Sequence, residues 1–322
     1  MVRYLTDAQA RELLAAAECN QMLEELFLHE FQGKVENKPT VELNLPKGIM
    51  RIKAGGTYGF NTFGFKAYPA GGRYLVVVYD VDTGLDGFVE ARGLTEARTG
   101  AVSAVGTKFM AREDATTMGI IGTGREARAQ LTYITPVRPF KLIKAWSRSA
   151  ENRETFAREM TEKLGIDVVP VATAEECVSN VDVVTTITSA SEPVFEGAWL
   201  APGTHINAVG ATTPNRRELD DEAVGRAATV AVEYLPQAEE ECGELLHAAA
   251  NGRFSWSNAV EMKDIVGGKV PGRRNATDIT LFDTIGVGAE DVAVATYLLR
   301  KARELGVGID MPFEPPYMTN RR

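Results

Sequence analysis

Residues 118–131, MGIIGTGREARAQL, combine an apolar run, a glycine turn and a stretch of helix-forming residues. The turn has the form G-x-G-x-x-A, and its setting between a strand and a helix is typical of a dinucleotide-binding unit. There Gly122 permits the tight turn, Gly124 lets the backbone approach a pyrophosphate, and Ala127 lets the helix pack on the strand. Free N–H groups at the helix start favour phosphate binding. We therefore assign to a dinucleotide the residues Gly122, Thr123, Gly124, Arg125, Glu126 and Ala127.

The end of the next predicted strand bears on which dinucleotide is bound. An acidic residue there would bind the ribose 2′-hydroxyl of NAD, but the segment 145–149 reads AWSRS and contains no acid. Ser147 and Arg148 could instead bind the 2′-phosphate of NADP, and Trp146 could stack near the adenine. The sequence therefore favours NADP over NAD. Thr188 and Ser189 end a later strand and could contact the nicotinamide half.

Four cations that precede the glycine turn could hold a small anionic substrate. Arg51 and Lys53 are two residues apart on a predicted strand and share one face, which is either solvated or a site for a second anionic group. Lys66 lies among apolar residues, either on the solvent face of its strand or in a pocket for an anion. Arg98, near the start of a predicted helix at 93–111, is either a surface residue or a bidentate clamp for a carboxylate.

The hydrophobic period changes twice along the chain, and the changes predict the elements that position these residues. Helices are expected at about 7–17 and 19–32. Period-two patterns then predict an antiparallel sheet with strands at 39–45, 48–54, 62–68, 73–79 and 87–91. Beyond it, alternating strands and helices predict a doubly wound parallel sheet. Its expected strands are 116–121, 141–146, 167–171, 181–187, 204–209 and 227–233, with the clearest helices between them at 150–163 and 218–226. One more strand, a glycine turn and a long helix at about 288–305 are expected to follow.

Composition narrows the class of protein. The 322 residues suggest two domains, and the net charge of −9 argues against a nucleic-acid surface. The three cysteines show neither zinc nor disulfide spacing, which suits a reducing cytoplasm, and we expect no metal site. The N-terminus does not resemble a signal peptide, and no apolar run reaches the ~20 residues of a membrane helix. We therefore expect a cytoplasmic protein without a membrane partner.

Five motifs, one of them the glycine turn, point to one family. They are LTEART at 94–99, GIIGTG at 119–124, HINAVGA at 205–211, PNRRELD at 214–220 and GVGAED at 286–291. In this order, over most of the chain, they resemble the ornithine cyclodeaminase/μ-crystallin family. The resemblance implies an α/β fold and a homodimer. A Rossmann-type doubly wound parallel sheet, 113–288, would bind NAD(P). It would be inserted into an α+β substrate-binding and dimerisation domain formed by 1–112 plus 289–322.

The resemblance also implies roles for single residues. The family's substrate-binding lysine corresponds to Lys66, and its carboxylate-binding arginine corresponds to Arg98. A family lysine near the cofactor corresponds to Arg216, and we place Val209 and Gly210 of the matching motif beside the cofactor as well. The implied ligands are a nicotinamide cofactor and a small imino or amino acid.

Two departures from the family pattern bear on the reaction. Cyclodeaminases have an aspartate where this chain has Thr212, which is no general base near neutral pH, and Thr40 replaces an arginine. Both favour the family's reductases and dehydrogenases, which act on the C=N or CH–NH bond of 2-imino or 2-amino acids. Lys66 and Arg98 would then be catalytic. We add Thr212 and Asp283 as candidate substrate-binding residues, beside Arg51 and Lys53.

Two alternatives remain open from the sequence. The chain could be a cyclodeaminase-type lyase that recycles its bound NAD, with Asp283 in place of the missing aspartate. It could also be a binding protein without turnover, which the resemblance allows because the family includes non-catalytic members. The presence of both Lys66 and Arg98 makes the binding protein the weaker alternative.

Overall fold

The computed structural model describes residues 1–313, which form two compact units. Unit 1 comprises residues 1–98 and the chain from residue 287 onward, and unit 2 comprises residues 99–286. The first division falls inside one helix, Arg92–Met110, so no loop marks it in the sequence. The boundary expected after residue 112 lies just beyond that helix. Residues 314–322 of the expected first domain lie outside the described residues.

Unit 1 is built on one sheet, with helices packed against it. Its strands are β1 (Val2–Leu5), β2 (Val35–Asn37), β3 (Val41–Asn44), β4 (Ile49–Thr57), β5 (Thr62–Pro69), β6 (Leu75–Asp80), β7 (Gly84–Glu90) and β16 (Ile309–Met311). The strand order is β16-β1-β7-β6-β5-β4-β2, and β3 also pairs with β4. All these pairs are antiparallel except β1 with β7. The helices are α1 (Asp7–Leu13), α2 (Ala16–Phe31), the start of α3 (Arg92–Met110) and α11 (Gly288–Leu305).

Glycines allow α11 to pack closely on the sheet. A Cβ atom on Gly55 of β4 would lie 2.3 Å from the backbone nitrogen of Ala289. One on Gly288 would lie 2.4 Å from the carbonyl carbon of Ala54. Real Cβ atoms do not approach so closely, so any side chain at either position would push the helix away. The first turn of α11 is thereby held directly against β4.

Unit 2 contains an eight-stranded, wholly parallel sheet. Its strands are β8 (Thr117–Ile121), β9 (Leu142–Trp146), β10 (Asp167–Pro170), β11 (Val183–Thr186), β12 (His205–Ala208), β13 (Ala227–Val232), β14 (Ala259–Glu261) and β15 (Ile279–Asp283). Their order is β10-β9-β8-β11-β12-β15-β13-β14. The helices are α4 (Arg125–Ile134), α5 (Ala150–Leu164), α6 (Ala174–Val178), α7 (Asp221–Arg226), α8 (Leu235–Glu241), α9 (Gly243–Ala250) and α10 (Met262–Val266). The strand order changes direction between β8 and β11, where such folds bind nucleotides.

Two expected helices differ from the structure. The helix expected at 7–17 ends at Leu13, and a second helix begins at Ala16. The helix expected from residue 218 begins only at Asp221, because the Asp220 carboxylate accepts a 2.7 Å hydrogen bond from the Ala223 N–H and caps it. Glu218 therefore lies on non-helical backbone. Among the described residues, no helix combines the length and apolarity needed to cross a bilayer.

Candidate functional site

Unit 1 contains a buried group of five charged side chains. The Lys66 ammonium lies 2.8 Å from the Asp291 carboxylate, and the Arg98 Nε lies 3.3 Å from the same carboxylate. The Arg98 Nη1 is also 3.3 Å from Glu290. Lys53 stands opposite Lys66 in the β4–β5 register and is 4% exposed. We call these five residues the charge cluster.

Four members of the charge cluster are positioned by the regular geometry of their strands or helix. Lys53 and Lys66 alternate inward with their strands, β4 and β5, against which α11 packs. Asp291 and Glu290 occupy the first turn of α11, where the helix dipole favours negative charge. The Glu290 carboxylate also accepts a hydrogen bond from the Val287 N–H at 3.3 Å. The close packing at Gly55 and Gly288 therefore fixes where the carboxylates meet the lysines.

Burial and neighbouring charges shift the titration of this cluster. Burial lowers the pKa of Lys66 to about 8. The charges of Arg98 and Lys53 lower this pKa as well, whereas the Asp291 carboxylate raises it. Burial raises the pKa of Asp291, but Lys66 and Arg98 outweigh that effect, and the pKa of Asp291 lies below its ordinary value. Lys66 is thus protonated near neutral pH and can release a proton within the physiological range.

The two cations expected to share a strand face have different surroundings. Lys53 is buried beside Lys66, whereas the Arg51 Nε lies 2.6 Å from Glu42 of β3. The Arg51 side chain is 27% exposed. Arg51 is thus neutralised by Glu42 on the same sheet. A second anion site formed by Arg51 and Lys53 together, as expected from the sequence, would therefore have Lys53 as its only cation of the two.

A cleft of about 930 Å³ in unit 2 opens at the carboxyl ends of β8, β9 and β11. It brings together ten of the residues assigned to the cofactor from sequence: Gly122, Thr123, Gly124, Arg125, Glu126, Trp146, Ser147, Arg148, Thr188 and Ser189. Most of the other residues that line the cleft belong to one segment, 187–194, and the sequence interpretation assigns only Thr188 and Ser189 of it to the cofactor. The run of small and polar residues directly after β11 is the sequence feature from which the rest of this segment could have been predicted.

The glycine turn has the geometry that a pyrophosphate requires. Gly122 has a φ of 112°, and a Cβ there would lie 2.2 Å from the Ile187 carbonyl oxygen, so only glycine fits. At Gly124 no atom lies within 4 Å of the Cβ position, which leaves the backbone open to a ligand. Gly124 also precedes α4 without a side chain that could cap its first N–H groups. These features fit a phosphate at the helix N-terminus.

The end of β9 forms the neighbouring wall of the cleft. The Thr123 hydroxyl donates a 3.0 Å hydrogen bond to the Ser147 hydroxyl, which ties the glycine turn to this strand end. The Ser147 carbonyl accepts from Arg153 at 2.9 Å. The Arg148 side chain is exposed and lines the cleft, so its guanidinium is accessible to an anionic group.

Six of the expected site residues in unit 2 do not line this cleft: Ala127, Val209, Gly210, Thr212, Arg216 and Asp283. Ala127 is fully buried under the turn, as its packing role requires, and Thr212 is exposed. Asp283 is 1% exposed at the end of β15. Burial raises the pKa of Asp283 to about 8. A hydrogen bond with Cys242 lowers this pKa, and the charges of Glu233 and Glu218 raise it. The charges that act on Asp283 are thus those of the acids Glu233 and Glu218.

His205 is excluded from acid–base work by its surroundings. It is fully buried, with its ring nitrogens 2.9 Å from the Thr280 hydroxyl and 3.1 Å from the Asn207 side-chain oxygen. Burial lowers the pKa of His205 to about 3, with a further contribution from Arg273. The ring is neutral and structural. Within residues 1–313, no group of three or more His, Cys, Asp or Glu side chains is arranged to hold a metal ion.

The parallel sheet and the glycine turn define a Rossmann-type nucleotide-binding protein. A model of the Ornithine cyclodeaminase/mu-crystallin family matches residues 2–305, and the chain belongs to that family. It is 38% identical over 241 residues to a Delta(1)-pyrroline-2-carboxylate reductase of Bacillus cereus, and the alignment covers 74% of each chain. The family and the α/β class expected from the sequence are thus both confirmed.

The solved structures that match nearly the whole length of this chain include the following two. The Thermococcus litoralis Delta(1)-pyrroline-2-carboxylate reductase, in complex with NADH and L-proline, has a TM-score of 0.91 at 30% identity, and covers 96% of this chain and 100% of its own. An archaeal alanine dehydrogenase dimer with bound NAD has a TM-score of 0.90 at 29% identity, covering 97% and 99%. The fold of this chain is therefore that of nicotinamide-dependent enzymes.

Proposed function

We propose that this protein is an NAD(P)H-dependent reductase of the C=N bond of a small 2-imino acid, and that it also catalyses the reverse oxidation of the 2-amino acid. The charge cluster carries the proposal, because it brings together three buried cations, Lys53, Lys66 and Arg98. The similar proteins named above include two reductases of a cyclic 2-imino acid, one of them with NADH and L-proline. We assign the substrate to unit 1 and the dinucleotide to unit 2.

Two observations support a substrate with one carboxylate. The reductases named above are reductases of Δ1-pyrroline-2-carboxylate, which has a single carboxylate. A second buried carboxylate would need a further cation, and Arg51, the candidate for that role, is already paired with Glu42. We therefore name a cyclic monocarboxylate, Δ1-pyrroline-2-carboxylate or its six-membered homologue, as the substrate.

The side chains can then be given roles. Arg98 clamps the α-carboxylate through its planar guanidinium, and Lys53 adds a second positive charge. When bound, the nicotinamide supplies a hydride to the imine carbon. Lys66 supplies the proton that the imine nitrogen acquires, which its pKa of about 8 permits near neutral pH. Hydride and proton together convert the C=N bond into CH–NH.

The cofactor is a nicotinamide dinucleotide, and we propose NADP as the preferred form, with NAD as the alternative. The observation in favour is the exposed Arg148 beside Ser147 at the end of β9, where an acid that would select NAD is lacking. The observation against is that the similar solved structures named above hold NADH or NAD. Arg148 thus becomes the residue whose replacement decides the preference.

We also propose a homodimer, as in the archaeal alanine dehydrogenase dimer. Along and just beyond β3, Val41, Leu43 and Leu45 alternate and are 53%, 47% and 40% exposed. Residues two apart on a strand share a face, so these three form an apolar strip that a second copy would cover. The three cysteines are buried and unpaired, which supports our assignment to the reducing cytoplasm.

A substrate panel and two variants test this proposal. We expect a kcat/KM for Δ1-pyrroline-2-carboxylate at least tenfold above that for an imine with two carboxylates. Lys66→Met and Arg98→Met should each lower kcat/KM by about ten- to a hundredfold, as loss of a hydrogen bond to a charged group predicts. Unchanged activity in both variants would overturn the site assignment, and a preference for the dicarboxylate would overturn the substrate class.

A further inference from the structure

One buried carboxylate joins two strand ends beside the cofactor cleft. Glu218 is fully buried, and its carboxylate accepts hydrogen bonds from the backbone N–H of Thr188 at 2.6 Å and of Gly210 at 2.7 Å. Thr188 follows β11 and Gly210 follows β12, the neighbouring strand. Charge-assisted hydrogen bonds of this length are among the stronger ones in proteins. The two strand ends are therefore held at a fixed spacing by a single side chain.

The main chain of the same residue holds the far end of the cleft wall. The Val194 N–H donates to the Glu218 carbonyl at 2.8 Å. Thr188 and Val194 are the first and last residues of the segment 188–194, which lines the cleft. Both ends of this segment are thus attached to Glu218, by its side chain at one end and by its backbone at the other.

We infer that Glu218 is a positioning residue for the dinucleotide: it fixes the segment 188–194 as one wall of the cleft without touching the cofactor. The inference rests on the proposed nucleotide site in unit 2 and assigns it a residue outside its lining. It also explains the glycine at position 210. A Cβ there would lie 2.6 Å from the Glu218 carboxyl carbon and 2.5 Å from the Thr188 carbonyl oxygen, so any side chain would displace the bridge.

The neighbouring acids provide a control for this inference. The Glu244 carboxylate accepts from the backbone N–H of Glu218 at 3.0 Å, and Glu244 is 1% exposed. Burial, with the charges of Asp283 and Glu218, raises the pKa of Glu244 well above its ordinary value. The Glu244 Oε2 has no hydrogen-bond partner among the described residues, so a glutamine at this position would keep the shape of the side chain and its accepting oxygen. Glu218 differs, because both of its oxygens accept N–H groups and a glutamine has only one such oxygen.

Binding of NADPH and of NADH to the full-length protein, followed by nicotinamide fluorescence, tests the inference. We expect Glu218→Gln to raise the Kd of the preferred cofactor about tenfold or more, because one charge-assisted hydrogen bond is lost. Glu244→Gln should stay within about twofold of the wild type. In steady state, Glu218→Gln should raise KM for the cofactor but not KM for the imino acid. A merely structural defect would change both.

Gly210→Ala provides a second variant that leaves Glu218 in place and should raise the same Kd. If Glu218→Gln fails to fold, as judged by circular dichroism, Gly210→Ala decides the question. Wild-type affinity in a folded Glu218→Gln, or an equal loss in Glu244→Gln, would overturn the role of Glu218. A wild-type protein that binds neither cofactor would instead overturn the nucleotide site itself.

Discussion

The pKa of Lys66 makes a quantitative prediction about the pH dependence of imine reduction. The protonated ammonium is the form that holds a carboxylate and donates a proton, and its pKa lies at about 8. Between pH 7 and pH 9 the protonated fraction then falls from about ten elevenths to about one eleventh. We expect kcat/KM for imine reduction to fall about tenfold over this range in the wild type.

The replacement Lys66→Arg tests whether Lys66 causes that fall. A guanidinium remains charged throughout this range and is a poor proton donor. The variant should therefore be less active than the wild type at pH 7. Between pH 7 and pH 9 its activity should fall only as far as the titration of the substrate itself causes. Asp283 is the competing explanation, because its pKa also lies at about 8. Asp283→Asn should keep the wild-type profile.

The assay is the initial rate of NAD(P)H oxidation at low concentrations of Δ1-pyrroline-2-carboxylate, in buffers of constant ionic strength. A pH profile that is the same in Lys66→Arg as in the wild type would refute the role given to Lys66. If Asp283→Asn abolished the fall of kcat/KM between pH 7 and pH 9, the titrating group would be one of the buried acids of unit 2 instead of Lys66.

Three further predictions concern the cofactor, the oligomer and the stability. Arg148→Ala should raise KM for NADPH about tenfold and leave KM for NADH unchanged, and equal effects on both would refute the 2′-phosphate site. Leu43→Lys should give a monomer, as measured by light scattering, whereas Val169→Lys, at a similarly exposed strand position, should leave the dimer intact. An unchanged dimer in Leu43→Lys would exclude the β3 strip as the dimer interface. Asp291→Asn should lower the free energy of unfolding by about 3–5 kcal/mol at pH 7. Because the pKa of Asp291 is lowered by folding, this difference should shrink in urea titrations as the pH falls below about 4, and a constant difference would contradict the pairing.

Much of unit 2 could be predicted from the sequence because its signals are local. The glycine fingerprint and the alternation of strands and helices lie within short windows, and the expected strands differ from β8–β13 by only a few residues at each end. The strands β1 and β16 have no such signal in the sequence. They are short, and their pairing joins Val2 to Met311 at opposite ends of the chain, a contact that no local pattern encodes.

The candidate site divides in the same way. Lys66 and Arg98 stand out by type and motif, but the pairing of both with Asp291, which is 225 residues from Lys66, appears only once α11 packs on the sheet. Arg51 illustrates the opposite error, since a period-two pattern gives its face but not its neighbour Glu42 on β3. The helical pattern includes Glu218 wrongly, because periodicity alone does not show that Asp220 caps the helix. The roles of Val209, Thr212 and Arg216 stay predictions.

A reductase consumes its dinucleotide as a reactant, and the stoichiometry of turnover shows whether this chain does so. NAD(P)H oxidised and L-proline formed should be counted together in the same reaction with Δ1-pyrroline-2-carboxylate. We expect one NAD(P)H to be consumed for each proline formed. Proline and ammonia produced from L-ornithine with no net change in the dinucleotide, and no oxidation of NAD(P)H with any cyclic imine, would contradict this expectation and identify a lyase instead.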